Sequence, residues 1–103
     1  MAGYAIAHVA VSNDAKFQEY VDKMPALFER YQGRLIARDE NPISIEGEAW
    51  PGTVVLIEFP SADDAKAFYA DADYLVAKAL RAGVADLHVS VVAGLDAAAD
   101  AQP

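Results

Sequence analysis

The sequence predicts an α+β domain in which two helical segments cover one face of a four-stranded antiparallel sheet, in the chain order βαββαβ. Three observations carry this. Four short runs rich in Val, Ile, Phe and Tyr are spaced along the chain, two amphipathic helical stretches separate them, and the first and third runs are apolar on both alternating faces.

The first strand runs from Tyr4 to Val11, with Tyr4, Ile6, His8 and Ala10 on one face and Ala5, Ala7, Val9 and Val11 on the other. Ser12-Asn13-Asp14 supplies capping side chains, and Phe17, Tyr20, Val21, Met24, Leu27, Phe28 and Tyr31 follow at helical spacing. Pro25 cannot donate a backbone hydrogen bond, so the helix kinks there or restarts with Pro25 in its first turn. Gly33 is expected to end it. Arg34 to Asp39 forms the second strand, whose polar character suits a sheet edge. From Asp39 to Gly52 the alternation of Ile43 and Ile45, with Asn41-Pro42, Gly47 and Pro51-Gly52 as turn residues, suggests a long hairpin arm. Thr53 to Phe59 is the third strand. Ser61 with Asp64 three residues on is a capping-box variant, Ala65, Phe68, Tyr69 and Ala72 mark the buried stripe, and Asp71-Ala72-Asp73 breaks the helix. It restarts through Leu75, Val76, Ala79 and Leu80, with Gly83 placed for a left-handed cap. Asp86 to Val92 is the fourth strand. Residues 1–95 form one domain, and the bulk-poor tail 96–103 is expected to fray.

This order is the ferredoxin-like split βαβ motif, with the first and third strands central. Both helical segments cover the same sheet face, yet the central strands lack the polar residues that a water-facing side needs. A second copy packed on the bare face removes the conflict and gives a homodimer, a dimeric α+β barrel, with about 800 Å² buried per subunit. Composition agrees. Of 103 residues, 22 are alanine and only 34 are larger apolar or aromatic side chains, few for a domain that folds alone. Ala5 and Ala7 suit the face where helices come close, which turns His8 toward the inter-sheet space.

Eight basic residues against 16 acidic ones give a net charge of −8, which repels phosphate backbones and anionic lipid, so neither nucleic acid nor membrane is an expected partner. There is no cysteine, and His8 and His88 are the only histidines, so no transition-metal site or cofactor is expected. Phosphate-loop, dinucleotide and nucleophile-elbow motifs are absent. These features suggest a cytoplasmic protein.

The stretches Tyr4-Ala-Ile-Ala-His-Val9, Tyr31-Gln-Gly-Arg-Leu-Ile-Ala-Arg38, Ile45-Glu-Gly-Glu-Ala-Trp-Pro-Gly52, Val55-Leu-Ile-Glu-Phe-Pro-Ser61, Phe68-Tyr69, Tyr74 and Lys78-Ala-Leu-Arg81 resemble the domain of unknown function 1330 family. The resemblance covers about Tyr4 to Val92. It implies the dimeric α+β barrel superfamily and no particular activity, since relatives on that fold range from cofactor-free monooxygenases to isomerases and haem-degrading enzymes. Asp39-Glu40 stands where family members commonly have Gly-Gly, and Thr53 where they commonly have arginine.

Seven residues are candidates for a site. His8, in mid-strand, is the candidate general base; the competing reading is a core histidine satisfied by hydrogen bonds. Arg34 and Arg38, expected on one strand face, form with Arg30 a cluster of three of the four arginines, suited to a carboxylate or to a solvated edge. Glu58 on a central strand must pair, with Arg34 or Arg38 as partner, or shift its pKa. Trp50 on the arm and Tyr69, with Tyr20, Tyr31 and Tyr74 as further aromatics, could line a pocket or fill core and contact roles. Arg81 suits the carbonyls at its helix end and is a secondary ligand candidate. Two functions follow: a cofactor-free site, in a pocket lined by His8, an arginine and tyrosines, that binds or transforms a small anionic or aromatic molecule, or a non-catalytic homodimeric binding or assembly protein.

Overall fold

The computed structural model describes residues 1–95, and the tail expected to fray lies outside the described residues. Strand β1 (Gly3–Val11) pairs antiparallel with β3 (Thr53–Phe59) on one side and β4 (Ala85–Ala93) on the other, and β2 (Arg34–Asp39) lies outside β3. The sheet order is β2-β3-β1-β4, the ferredoxin-like arrangement with the two most apolar strands at the centre.

Each expected helical segment is two helices. Asn13 caps α1 (Asp14–Val21) by accepting from the Lys16 amide, and the chain restarts as α2 (Met24–Tyr31) with Pro25 in its first turn, where its missing N–H costs nothing. Gln32, rather than Gly33, takes the left-handed position that closes α2. Ser61 accepts from the Asp64 amide to start α3 (Ala62–Ala70), completing the expected cap, and Asp71 caps α4 (Ala72–Leu80) through the Asp73 amide. Gly83 does take a positive φ of 78°, in the turn beyond Arg81.

Burial follows strand register. Ala5, Ala7 and Val9 of β1 point into the helical layer beside Ile57 and Phe59, and Ala5 is fully buried. Phe68 of α3 is the hub of this layer. Its ring lies 4.8 to 5.4 Å from those of Phe28, Phe59, Tyr69 and Tyr74, all from different elements except Tyr69. The opposite face carries Tyr4, Ile6 and His8 of β1, Val54, Leu56 and Glu58 of β3, and His88, Ser90 and Val92 of β4, none of them buried.

Two expectations change. The segment between β2 and β3 does not continue as a paired hairpin: it is irregular, and Ile43 and Ile45 are 84% and 87% exposed. Their alternation lacks a partner strand. In β2 the register shifts between Leu35 and Ala37, so Arg34 lies opposite Glu58 and Arg38 opposite Val55. Glu58 and Val55 belong to opposite faces of β3, and the bulge therefore separates the two arginines that simple alternation puts together.

Candidate functional site

Six of the seven candidate residues fall into three places, and Arg38 stands apart on the other face of β2. His8 stands on the open sheet face directly across from His88, with the ring of Trp50 edge-on to it at 5.0 Å and to His88 at 6.2 Å. Trp50 is anchored there by donating from Nε1 to the Thr53 carbonyl at 3.2 Å. Gly52 permits this: a Cβ at that position would stand 2.2 Å from the Val9 carbonyl oxygen. In the second place Arg34 and Glu58 neutralise each other at 2.7 Å, the pairing expected for Glu58, whereas Arg38, apart from them, reaches Glu40 at 3.3 Å. These exposed pairs each contribute at most about 1 kcal/mol.

The third place unites Tyr69 and Arg81. Here α3 and α4 stand off from β4, leaving an open cleft of about 470 Å³. Its helical wall presents Lys66, Tyr69, Ala70, Tyr74, Lys78 and Arg81, and its sheet wall is Leu87, Val89 and Val91. Because Leu87, Val89 and Val91 pair with Val9, Ala7 and Ala5, the cleft is on the helical side of the sheet, and His8 is on the other. The expected grouping of His8 with an arginine and tyrosines in one pocket does not form.

Arg81 is only 9% exposed, and among the described residues no carboxylate lies within 4 Å of it. Its side chain does not turn to the helix-end carbonyls expected from its position. One guanidinium nitrogen donates to the Tyr74 hydroxyl at 3.4 Å, Nε has no acceptor among the described residues, and the guanidinium carbon lies 5.0 Å from the centre of the Tyr20 ring. A cation–π contact offsets part of the cost of burying the charge, and a long hydrogen bond adds little. The hydroxyls of Tyr20 and Tyr74 are hydrogen-bonded to each other at 3.1 Å. Burial, followed by the proximity of Tyr74, pushes the Tyr20 and Tyr69 hydroxyls well above the usual phenol range, so both stay protonated.

The corner that shapes the cleft is clamped from α2. Arg30 bonds both carboxylate oxygens of Asp71 and also reaches Asp73 at 2.9 Å, while Tyr31 donates to Asp71. The Tyr31 and Arg30 hydrogen bonds hold the Asp71 carboxyl at about 2, below its ordinary 3.8. Chemically, the cleft supplies a buried guanidinium, two ammonium groups and phenol donors, and among the described residues its lining has no carboxylate or imidazole. Such a lining stabilises negative charge and offers no conventional base. Tyr74 is one of the aromatics the sequence offers for a pocket, whereas Lys66 and Lys78 escaped assignment from sequence. Their signal is spacing: Lys66 and Tyr69 are three apart, and Tyr74, Lys78 and Arg81 are four and three apart, so each set shares a helix face.

The sequence profile of a family described as "Domain of unknown function (DUF1330)" matches residues 2–95. No curated protein matches the sequence. Among solved structures, a protein of unknown function from Rhodopseudomonas palustris is similar, with 17% identity and a TM-score of 0.72 over 92% of this chain and 83% of that one. A dimeric ferredoxin-like protein of unknown function from Bacteroides fragilis has 16% identity and a TM-score of 0.60, covering 90% and 96% of the two chains. SnoaB, a cofactor-independent oxygenase from Streptomyces nogalater, has 12% identity and a TM-score of 0.61, covering 92% and 94%. At these identities the likeness is one of fold. Among the described residues no helix is long and apolar enough to cross a membrane.

Proposed function

This chain belongs to the DUF1330 family, whose description assigns no activity, and we propose that it binds a small organic anion in the cleft between α3, α4 and β4. The single observation that carries this is Arg81: a guanidinium nine-tenths buried, with no carboxylate partner among the described residues, lining an open cleft. A buried charge without a counterion is costly in the empty protein, and a ligand carboxylate would compensate it with charge-assisted hydrogen bonds. The apolar strip Leu87, Val89 and Val91 and the ring of Tyr69 suit an aromatic or otherwise flat body. The lining among the described residues offers cations and phenol hydroxyls but no carboxylate or imidazole, which suits a ligand that arrives already ionised. The test is calorimetric titration with a panel of aromatic and aliphatic carboxylates. Binding by the wild type that Arg81→Met abolishes supports the proposal, and a panel that binds both proteins equally, or neither, overturns it.

A second, compatible reading concerns assembly. The open sheet face has Ile6, Val54 and Leu56 at its centre, and the irregular arm beside it exposes Ile43 and Ile45. We propose that a second copy covers this face, which agrees with the dimeric description of the Bacteroides fragilis protein. Sedimentation equilibrium at micromolar concentration tests it, and a well-folded monomer overturns it.

A further inference from the structure

Resting on the anion-site reading above, we infer that the cleft selects a dianion on a flat apolar body, an aromatic dicarboxylate being the simplest case, over the corresponding monoanion. Two independent features point there. The first is where the unpaired cations lie. The chain has eight lysines and arginines, and Lys16, Arg30, Arg34, Arg38 and Lys66 each lie within 4.0 Å of a carboxylate. Among the described residues Lys23, Lys78 and Arg81 do not, and two of these three line the same cleft. In a protein of net charge −8 such a local excess of positive charge is unexpected, and the low-dielectric walls of a cleft focus its field.

The second feature is the polarity of the lining. Its polar side chains are rich in donors: two ammonium groups, a guanidinium, and the hydroxyls of Tyr69 and Tyr74, with burial holding the Tyr69 phenol protonated. A ligand that satisfies them must be rich in acceptors. Lys78, in the last turn of α4, and Arg81, the residue that closes the helix, are three residues apart, about one helical turn, and both line the cleft, Arg81 buried and Lys78 exposed. A single carboxylate meets Arg81 and leaves Lys78 facing an uncompensated apolar body. Two acidic groups spaced by an aromatic ring engage both, while Leu87, Val89 and Val91, about 13 Å of strand, contact the ring. Lys66, held at 4.0 Å by the exposed Asp63, adds to the field at the rim and does not decide the selectivity.

Benzoate and terephthalate, titrated calorimetrically at low ionic strength, provide the test. Wild-type protein is expected to bind terephthalate about ten-fold more tightly than benzoate. In Lys78→Met that ratio falls to about the two-fold statistical advantage of two equivalent carboxylates, terephthalate losing more affinity than benzoate does. Lys23→Met, which removes an unpaired lysine outside the cleft lining, leaves the ratio at its wild-type value. A wild-type ratio near two, or a ratio that Lys23→Met lowers as much as Lys78→Met does, overturns the inference of a dianion site while leaving an anion site in place. Failure of both compounds to bind the wild type overturns the anion site itself and the selectivity with it. Circular dichroism and thermal denaturation establish that each variant is folded before it is titrated.

Discussion

The guanidinium of Arg81 lies 5.0 Å over the ring of Tyr20, from a helix 60 residues away in sequence, and this stacking is the main local compensation for a buried charge that lacks a carboxylate partner among the described residues. An apolar side chain of similar length keeps the packing against Tyr20 and removes the desolvation cost. Arg81→Met is therefore expected to leave stability unchanged or to raise it by about 1 kcal/mol in urea denaturation at neutral pH. Arginine held in a stability-neutral position for ligand binding behaves this way. A loss above about 2 kcal/mol would show that the charge is well satisfied in the empty protein.

Phe68 packs against rings from α2, β3 and α4, and it is 1% exposed. Its truncation leaves a cavity at the junction of helices and sheet. Phe68→Ala is expected to cost about 3 to 5 kcal/mol by the same denaturation measurement. A cost near that of an exposed position would mean that the helical layer is not packed on the sheet as described.

The Asp71 corner makes stability acid-sensitive. Its carboxyl titrates at about 2 in the folded chain against an ordinary 3.8, so the stabilisation is fully present above about pH 4 and disappears as pH falls through about 2. Melting temperatures measured from pH 6 to pH 2 are expected to fall less in Asp71→Asn than in the wild type. Parallel curves for the two proteins would show that the clamp of Arg30 and Tyr31 contributes nothing.

On the open sheet face, His8 and Leu56 have different expected effects from those of the cleft residues. His8→Ala leaves carboxylate affinity unchanged, because the sheet separates it from Arg81. Leu56→Asp puts a charge at the centre of the proposed dimer face and converts the sedimentation pattern to that of a monomer. A dimer that survives Leu56→Asp assembles through another surface.

The architecture was legible because strand burial is written locally. Ala5 and Ala7 alternate with Ile6 and His8, and the structure sorts them onto the two faces that this alternation implies. Ser61 with Asp64 and Pro25 with Met24 likewise mark helix starts through contacts within four residues. The site was legible only in part. Tyr69, Tyr74 and Arg81 stand out in the sequence, but the burial of Arg81 depends on its packing with Tyr20 and Tyr74 and on the kink at Asp71, which no local pattern records. The displacement of Arg38 from the face of Arg34 arises from one extra residue in β2, and simple alternation has no means of showing it. Ile43 and Ile45 mimic a strand because alternation alone does not reveal whether a neighbouring strand exists.

The most direct test of the anion site is the Arg81 side chain itself. The Nε–H of Arg81 has no acceptor among the described residues, so in a nitrogen-15 correlation spectrum its resonance, assigned by its disappearance in Arg81→Met, reports any oxygen that arrives beside it. Addition of benzoate is expected to shift that resonance in a saturable manner and to slow its exchange with water, while the Nε–H signals of Arg30, Arg34 and Arg38 stay in place. An Arg81 resonance that does not move, or that moves together with the other three, would contradict a carboxylate site at this guanidinium.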